Sequence, residues 1–320
     1  VTRAPGRPKA IRRFLGSLFV ATAFGFLGYF VASNIGQLRA HDWQVRPALL
    51  AASLLLHVAG LFWGVAVWQM LLRRLGSPVG LIDLARIWFV SGLGRYIPGK
   101  VWHFVGAAHL GNAVGLSLVV TVTSLAVHTG VFAVAALLTA VYLLPSQTGQ
   151  TVGFALEVSR WFAPAALLLV HPAAIRNAIA LARRLSKREM GDWTGRWIDG
   201  IVLVGLASIA WLITGLAFYL FVESLTPIGL EAATALIAAN SLAFVAGYLV
   251  FFVPAGLGAK EGALTALLTL YLPAPVAALL AIAARLWTIA AEVLPALALL
   301  RWGGSPAATS DPGTATRRNP

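Results

Sequence analysis

Three short stretches hold the polar chemistry of an otherwise apolar chain. The first is SGLGRYIPGKVWHF, Ser91 to Phe104, with Arg95, Lys100 and His103 set among Gly92, Gly94, Pro98 and Gly99. The second is PAGLGAKEG, Pro254 to Gly262, with Lys260 and Glu261. The third is RLWTIAAEV, where Arg285 and Glu292 stand seven residues apart and share one face of a helix. Gly94 to Lys100 reads G-x-x-x-x-G-K, close to a phosphate-binding P-loop. That reading fails. Val101 stands where a Ser or Thr must hold magnesium, no strand pattern precedes the glycines, and Pro98 removes an N–H that the phosphate cradle needs.

The surroundings of these charges decide what they are for. The 320 residues are 59% hydrophobic and 11% charged, against about 25% charged in soluble domains. Mean hydropathy is +0.83. This is the composition of a polytopic membrane protein. A charge in hydrocarbon costs about 2.5–3.5 kcal/mol and survives where it faces a cavity or a partner. One expectation is therefore a basic, water-accessible pocket for an anionic head group, lined by Arg95, Tyr96, Gly99, Lys100, Gly256, Gly258, Lys260 and Arg285. Glycine-rich breaks add backbone donors and helix N-termini that suit phosphate. Glu261, Glu292 and His103 would set charge state or carry a proton. The alternative is structural, with Lys260 or Arg285 neutralised by Glu261 or Glu292 to lock helices together. His109 and His128 are expected to be packed or interfacial, and Trp43, Trp102, Trp161 and Trp193 to lie in interfacial belts.

No catalytic motif is legible: there is no G-x-S-x-G, no H-E-x-x-H and no closely spaced Asp pair for a metal-dependent prenyl or glycosyl transferase. The chain has no cysteine, hence no disulfide and no thiolate site. No cofactor or metal is expected. The net charge of +13 is assigned to basic loops rather than to nucleic acid.

Elements that would position the three stretches follow from length and charge. Spans are expected at 15–35, 47–72, 117–144, about 154–171, 199–222 and 275–300. The first is read as a retained helix, not a cleaved signal. Regions 81–113 and 231–272 are each two apolar limbs around a Gly/Pro break. Of the 24 Lys and Arg, 17 fall in segments 1–13, 73–86, 172–198 and the tail, and three (Arg39, Arg46, Arg160) on the other side. That bias puts both termini in the cytoplasm. It also makes the first broken region enter and leave from the inside, and the second from the outside. The fold expected is thus all-α, with about six full transmembrane helices plus two broken or re-entrant hairpins from opposite faces, an inverted repeat with its site near the midplane.

By this reading residues 1–13 are a basic cytoplasmic N-terminus, 14–302 one transmembrane domain, and 303–320 a disordered tail. Within 172–198 an amphipathic helix carries Ile175, Ile179 and Ala182 on one face. Arg176, Arg183, Lys187 and Arg188 cover the rest, suited to anionic inner-leaflet lipids.

LGRYIPGKVWHFVG (Leu93–Gly106), PAGLGAKEGALTALL (Pro254–Leu268) and RLWTIAAEVLPALALL (Arg285–Leu300), in that order, resemble the flippase-like domain family: the transmembrane region of lysylphosphatidylglycerol synthases and its stand-alone relatives. The second motif of that family usually reads P-G-G-L-G-x-R-E. Here Ala255 replaces a Gly and Lys260 the Arg, which keeps the charge and loses bidentate phosphate recognition. The resemblance implies movement of a phospholipid or polyprenyl-phosphate-linked lipid between leaflets of the plasma membrane, alone, as a homo-oligomer or with a partner synthase. With no room after the last span for a synthase domain, aminoacyl transfer is not expected. Two other readings are an intramembrane lipid-modifying transferase, and a non-transporting subunit that docks a synthase through 172–198.

Overall fold

A computed structural model of the protein describes residues 29, 32–96, 101–145, 150–186, 193–249 and 258–302. The expected first span 15–35 lies almost wholly outside them, as do the proposed terminal segments 1–13 and 303–320. The described residues are helical, with no strand among them. In chain order the α-helices are α1 (Ile35–Ala40), α2 (Pro47–Arg74), α3 (Leu81–Gly92), α4 (Val101–Asn112), α5 (Leu118–Leu143) and α6 (Gln150–Phe162). They continue with α7 (Pro172–Ser186), α8 (Trp197–Glu223), α9 (Ala233–Leu249), α10 (Ala259–Leu268) and α11 (Ala274–Trp302).

Among the described residues, five helices are long and apolar enough to cross a membrane: Pro47–Arg74, Leu118–Leu143, Trp197–Glu223, Leu230–Leu249 and Ala274–Arg301. The chain is a multi-pass membrane protein. The expected span 154–171 is not one straight helix. Its first part is α6, and Ala163–Val170 tightens into a 3₁₀ stretch with Pro164 near its start. Leu156–Val170 then meets Pro172–Leu181 at 51°, and the pair counts as a sixth span only if taken together. Both departures occur at prolines. Pro164 and Pro172 lack an N–H, and before Pro172 the backbone of His171 is extended, at φ −62° and ψ 141°.

The two longest-packed helices, α2 and α8, run antiparallel and form the spine of the bundle. Both ends are pinned by ion pairs: Arg46 with Glu223 at 3.0 Å, and Arg74 with Asp199 at 2.9 Å. Small residues bring helix axes together. A Cβ on Gly215 of α8 would lie 2.8 Å from the Ile237 Cα of α9. Two hydrophobic cores occupy the two ends of this spine. One joins Trp68, Leu71 and Leu72 of α2 to Leu84 and Ile87 of α3 and to Leu125 and Val131 of α5. The other joins Phe218, Phe221 and Val222 of α8 to Leu236 of α9, Leu264 and Leu268 of α10, and Leu280 and Trp287 of α11.

Helix α7 buries Ile175 and Ile179 as its periodicity predicts, and leaves Arg176 and Arg184 exposed. Trp193 does not join a belt. It is 2% exposed and shares the first core with those two isoleucines, because the apolar face of α7 needs a partner. Trp161, by contrast, is 85% exposed.

Helices α3 and α4 have 12 residues each and α10 has 10, so they reach about 18 and 15 Å at 1.5 Å per residue. None alone covers a hydrocarbon core of about 30 Å. Helix α3 packs along α4, and α10 packs along α9 and α11. The long α11 also contacts α2 and α3, and so stands between the two broken regions.

Candidate functional site

The end of α3 tightens into a 3₁₀ turn, Leu93–Tyr96, and this turn presents Arg95 and Tyr96 to α11. Gly94 makes the turn possible: a Cβ there would lie 3.0 Å from the backbone carbonyl carbon of Trp102 in α4. Arg95 donates from Nη1 to Glu292 Oε1 at 2.9 Å and from Nε to the Gly92 carbonyl at 3.0 Å. Tyr96 donates its hydroxyl to the other carboxylate oxygen, Glu292 Oε2, at 2.8 Å. Glu292 is thus engaged on both oxygens and largely buried, with a side chain 10% exposed against 33% for Arg95.

The second break builds a matching clasp of opposite polarity. Gly258 adopts φ +84°, a conformation open to glycine at little cost, and directs the chain into α10. Three residues on, Glu261 reaches back and accepts from the Gly258 N–H through Oε2 at 2.8 Å. Its Oε1 accepts from Arg285 Nη1 at 2.7 Å. The Arg285 guanidinium also lies over the Tyr96 ring, 5.9 Å from its centroid, which joins the two clasps.

Helix α11 therefore carries one member of each pair. The first break supplies a cation to its carboxylate, and the second a carboxylate to its cation. Arg285 and Glu292 straddle the central residue of α11, Thr288. Both broken regions meet this helix at its middle. Pro295 sits three residues beyond Glu292, inside the same helix.

Lys260, in the first turn of α10, is half-buried and set among these groups. It is attracted by Glu292 and Glu261 and repelled by Arg285 and Arg95. Both carboxylates are already committed to arginines. Among the described residues Lys260 has no hydrogen bond or ion pair of its own. Arg95, Lys260 and Arg285 stand against Glu261 and Glu292, which leaves one surplus positive charge.

Six of the expected site residues thus come together: Arg95, Tyr96, Lys260, Glu261, Arg285 and Glu292, with Gly258 shaping the second clasp. His103 sits one step away, with Nδ1 3.3 Å from Ser91 Oγ and its ring edge-on to Trp88. Gly99, Lys100 and Gly256 lie outside the described residues. His128 is buried with Nε2 3.1 Å from the Gly64 carbonyl, and His109 is exposed. Neither belongs to the cluster.

One residue at this site went unread in the sequence. His57 of α2 is 6% exposed, its ring 4.3 Å from that of Trp287 on α11, and it senses the charge of Lys260. The available signal was an imidazole alone in the middle of a 28-residue apolar helix, where a polar group calls for a reason.

A long helical bundle with ionisable groups clasped at the middle of a membrane-length helix defines a class: multi-pass membrane proteins that keep a polar site inside the bundle. The chain matches the lysylphosphatidylglycerol synthase transmembrane region over residues 13–296, nearly its whole length, and it belongs to that family, a membrane domain of the flippase-like kind. No curated protein and no solved structure matches it.

Proposed function

We propose that this protein moves a lipid with an anionic, phosphate-bearing head between the leaflets of the plasma membrane, with both termini in the cytoplasm. The observation that carries the reading is the convergence of the two broken regions on the centre of α11, where three cations face two carboxylates. The basic-residue bias puts the α2–α8 end with Arg74 and Asp199 inside and the end with Arg46 and Glu223 outside. On that orientation α3 and α4 enter from the inside and reach Glu292, the inner of the two α11 charges. Helix α10 starts at mid-depth beside Arg285, the outer one. The site is then reached from either face in turn, as in transporters built on inverted repeats.

The clasps give the head group something to do. A phosphate that enters beside Lys260 competes with Glu292 for Arg95 and with Glu261 for Arg285. A guanidinium binds phosphate as well as carboxylate. Each exchange loosens the hold of a broken region on α11, so binding of the head and opening of the path are one event. The lipid tails stay in the bilayer. Each guanidinium keeps an anion throughout the exchange.

The test is translocation of fluorescent phosphatidylglycerol, phosphatidylethanolamine and a polyprenyl phosphate in proteoliposomes. We expect wild type to move at least one anionic lipid. Lys260→Ala and Arg285→Ala, folded as judged by size exclusion and melting, should slow it by about tenfold or more, the worth of one charge-assisted contact. Wild-type protein that moves none of these lipids, with or without an imposed proton gradient, removes the transport reading.

A further inference from the structure

The imidazole of His57 has no account in the packing around it. Neither Nδ1 nor Nε2 has a hydrogen-bond partner, and both are buried. Its neighbours are satisfied: Trp287 donates its indole N–H to Ser53 Oγ at 3.2 Å, and Ser53 donates to the Leu50 carbonyl at 2.7 Å. The ring therefore sits at the seam of α2 and α11 with two idle polar atoms, and a buried polar group without a partner is costly. A phenylalanine would fill the same place against Trp287 at no such cost. Trp287, on which the ring packs, is two residues from Arg285 on α11, and the ring feels the charge of Lys260, the one cation of the described cluster that has no anion of its own.

Two unused donors on different helices, one of them the cation without an anion, fit one acceptor. We propose that His57 is a further binding residue, donating a ring N–H to an anionic phosphate oxygen held by Lys260, so that α2 joins α10 and α11 around the head group. This rests on the anionic-lipid reading above and adds a third wall to its site. The ring is covered in this structure, so the contact requires the seam between α2 and α11 to part as the head group enters. Trp287, packed on the imidazole, is the side chain that has to yield.

The experiment is thermal unfolding of the full chain in detergent, titrated with didecanoyl phosphatidylglycerol, with inorganic phosphate alone, or with didecanoylglycerol as a tail-only control. Wild type should be stabilised by phosphatidylglycerol and unmoved by the uncharged diglyceride. Stabilisation by inorganic phosphate as well would mean that the head alone suffices, and its absence that the tails are needed; both agree with the proposal provided His57 is required. His57→Phe keeps the ring contact with Trp287 and should melt no lower than wild type without lipid. It should weaken the apparent phosphatidylglycerol affinity about tenfold, as Lys260→Ala should. His57→Gln, which restores one N–H, should recover part of that loss, and it serves if the Phe variant does not fold. A wild-type lipid shift that persists in full in His57→Phe, or in His57→Gln where that variant must serve, overturns the role of His57 and leaves the anionic-lipid site intact. A wild type that no phosphate-bearing probe stabilises overturns both. Binding that depends on His57 without translocation in proteoliposomes supports this inference and defeats only the transport reading.

Discussion

Glu292 is the residue on which the first clasp turns, since Arg95 takes one of its oxygens and Tyr96 the other. Removing one partner of such a pair leaves the other charge in poor solvent. Arg95→Met and Glu292→Gln should each cost about 1–3 kcal/mol of stability, as for hydrogen bonds to charged groups. The double variant should cost less than their sum, with a coupling of about 0.5–3 kcal/mol in a double-mutant cycle. Unfolding in detergent reads this directly, and additive losses would mean that the pair contributes nothing. The identity of these residues was legible, because a charge in an apolar run announces itself. Their pairing was left open: Glu261 and Glu292 were both offered to Arg285, and Arg95 was given no partner. Glu292 is the one carboxylate on the helix of Arg285, yet Arg285 pairs with Glu261, because a seven-residue offset spaces two side chains along the helix without bringing them together. His57 escaped notice for a related reason: its significance lies in what it fails to touch.

Among the elements, α8 and α9 test how far small residues set the packing. Gly215→Ala would push a Cβ to 2.8 Å from the Ile237 backbone, which cannot swing aside. It should destabilise by about 1–3 kcal/mol, as over-packing does. Gly205 lies on the same helix with nothing within 4 Å of its Cβ position. Gly205→Ala should be neutral or stabilising by up to about 1 kcal/mol through helix propensity. Equal melting of the two would remove the packing argument. Long apolar helices were read well from composition, because a hydrophobic run of spanning length has few other fates. The bend at the end of 154–171 was not foreseen because hydropathy was weighed over backbone. Pro164 and Pro172 were in plain view, and they turned one expected span into a helix, a 3₁₀ stretch and a 51° bend. Trp193 was misplaced because a tryptophan near a membrane surface looks alike from sequence whether it faces lipid or covers the isoleucines of α7.

For the whole molecule, orientation is the property that sequence charge speaks to most directly, and a chain without cysteine is well suited to testing it. Arg73→Cys and Arg184→Cys should react with an impermeant maleimide only from the cytoplasmic face, and Asp42→Cys and Leu230→Cys only from the other. Labelling of all four from one side would overturn the arrangement. The two clasps also differ in a way that bears on how the protein is made. Glu261 and Arg285 are 24 residues apart, whereas Arg95 and Glu292 are 197 apart. As the chain leaves the ribosome, the second clasp closes almost as soon as its residues emerge. The first waits for 197 further residues, and through that interval Arg95 is in the bilayer without its carboxylate. Helix α11 is therefore the element that completes the first clasp, and a nascent chain arrested before Glu292 should be held by the insertion machinery or destroyed by membrane proteases rather than released.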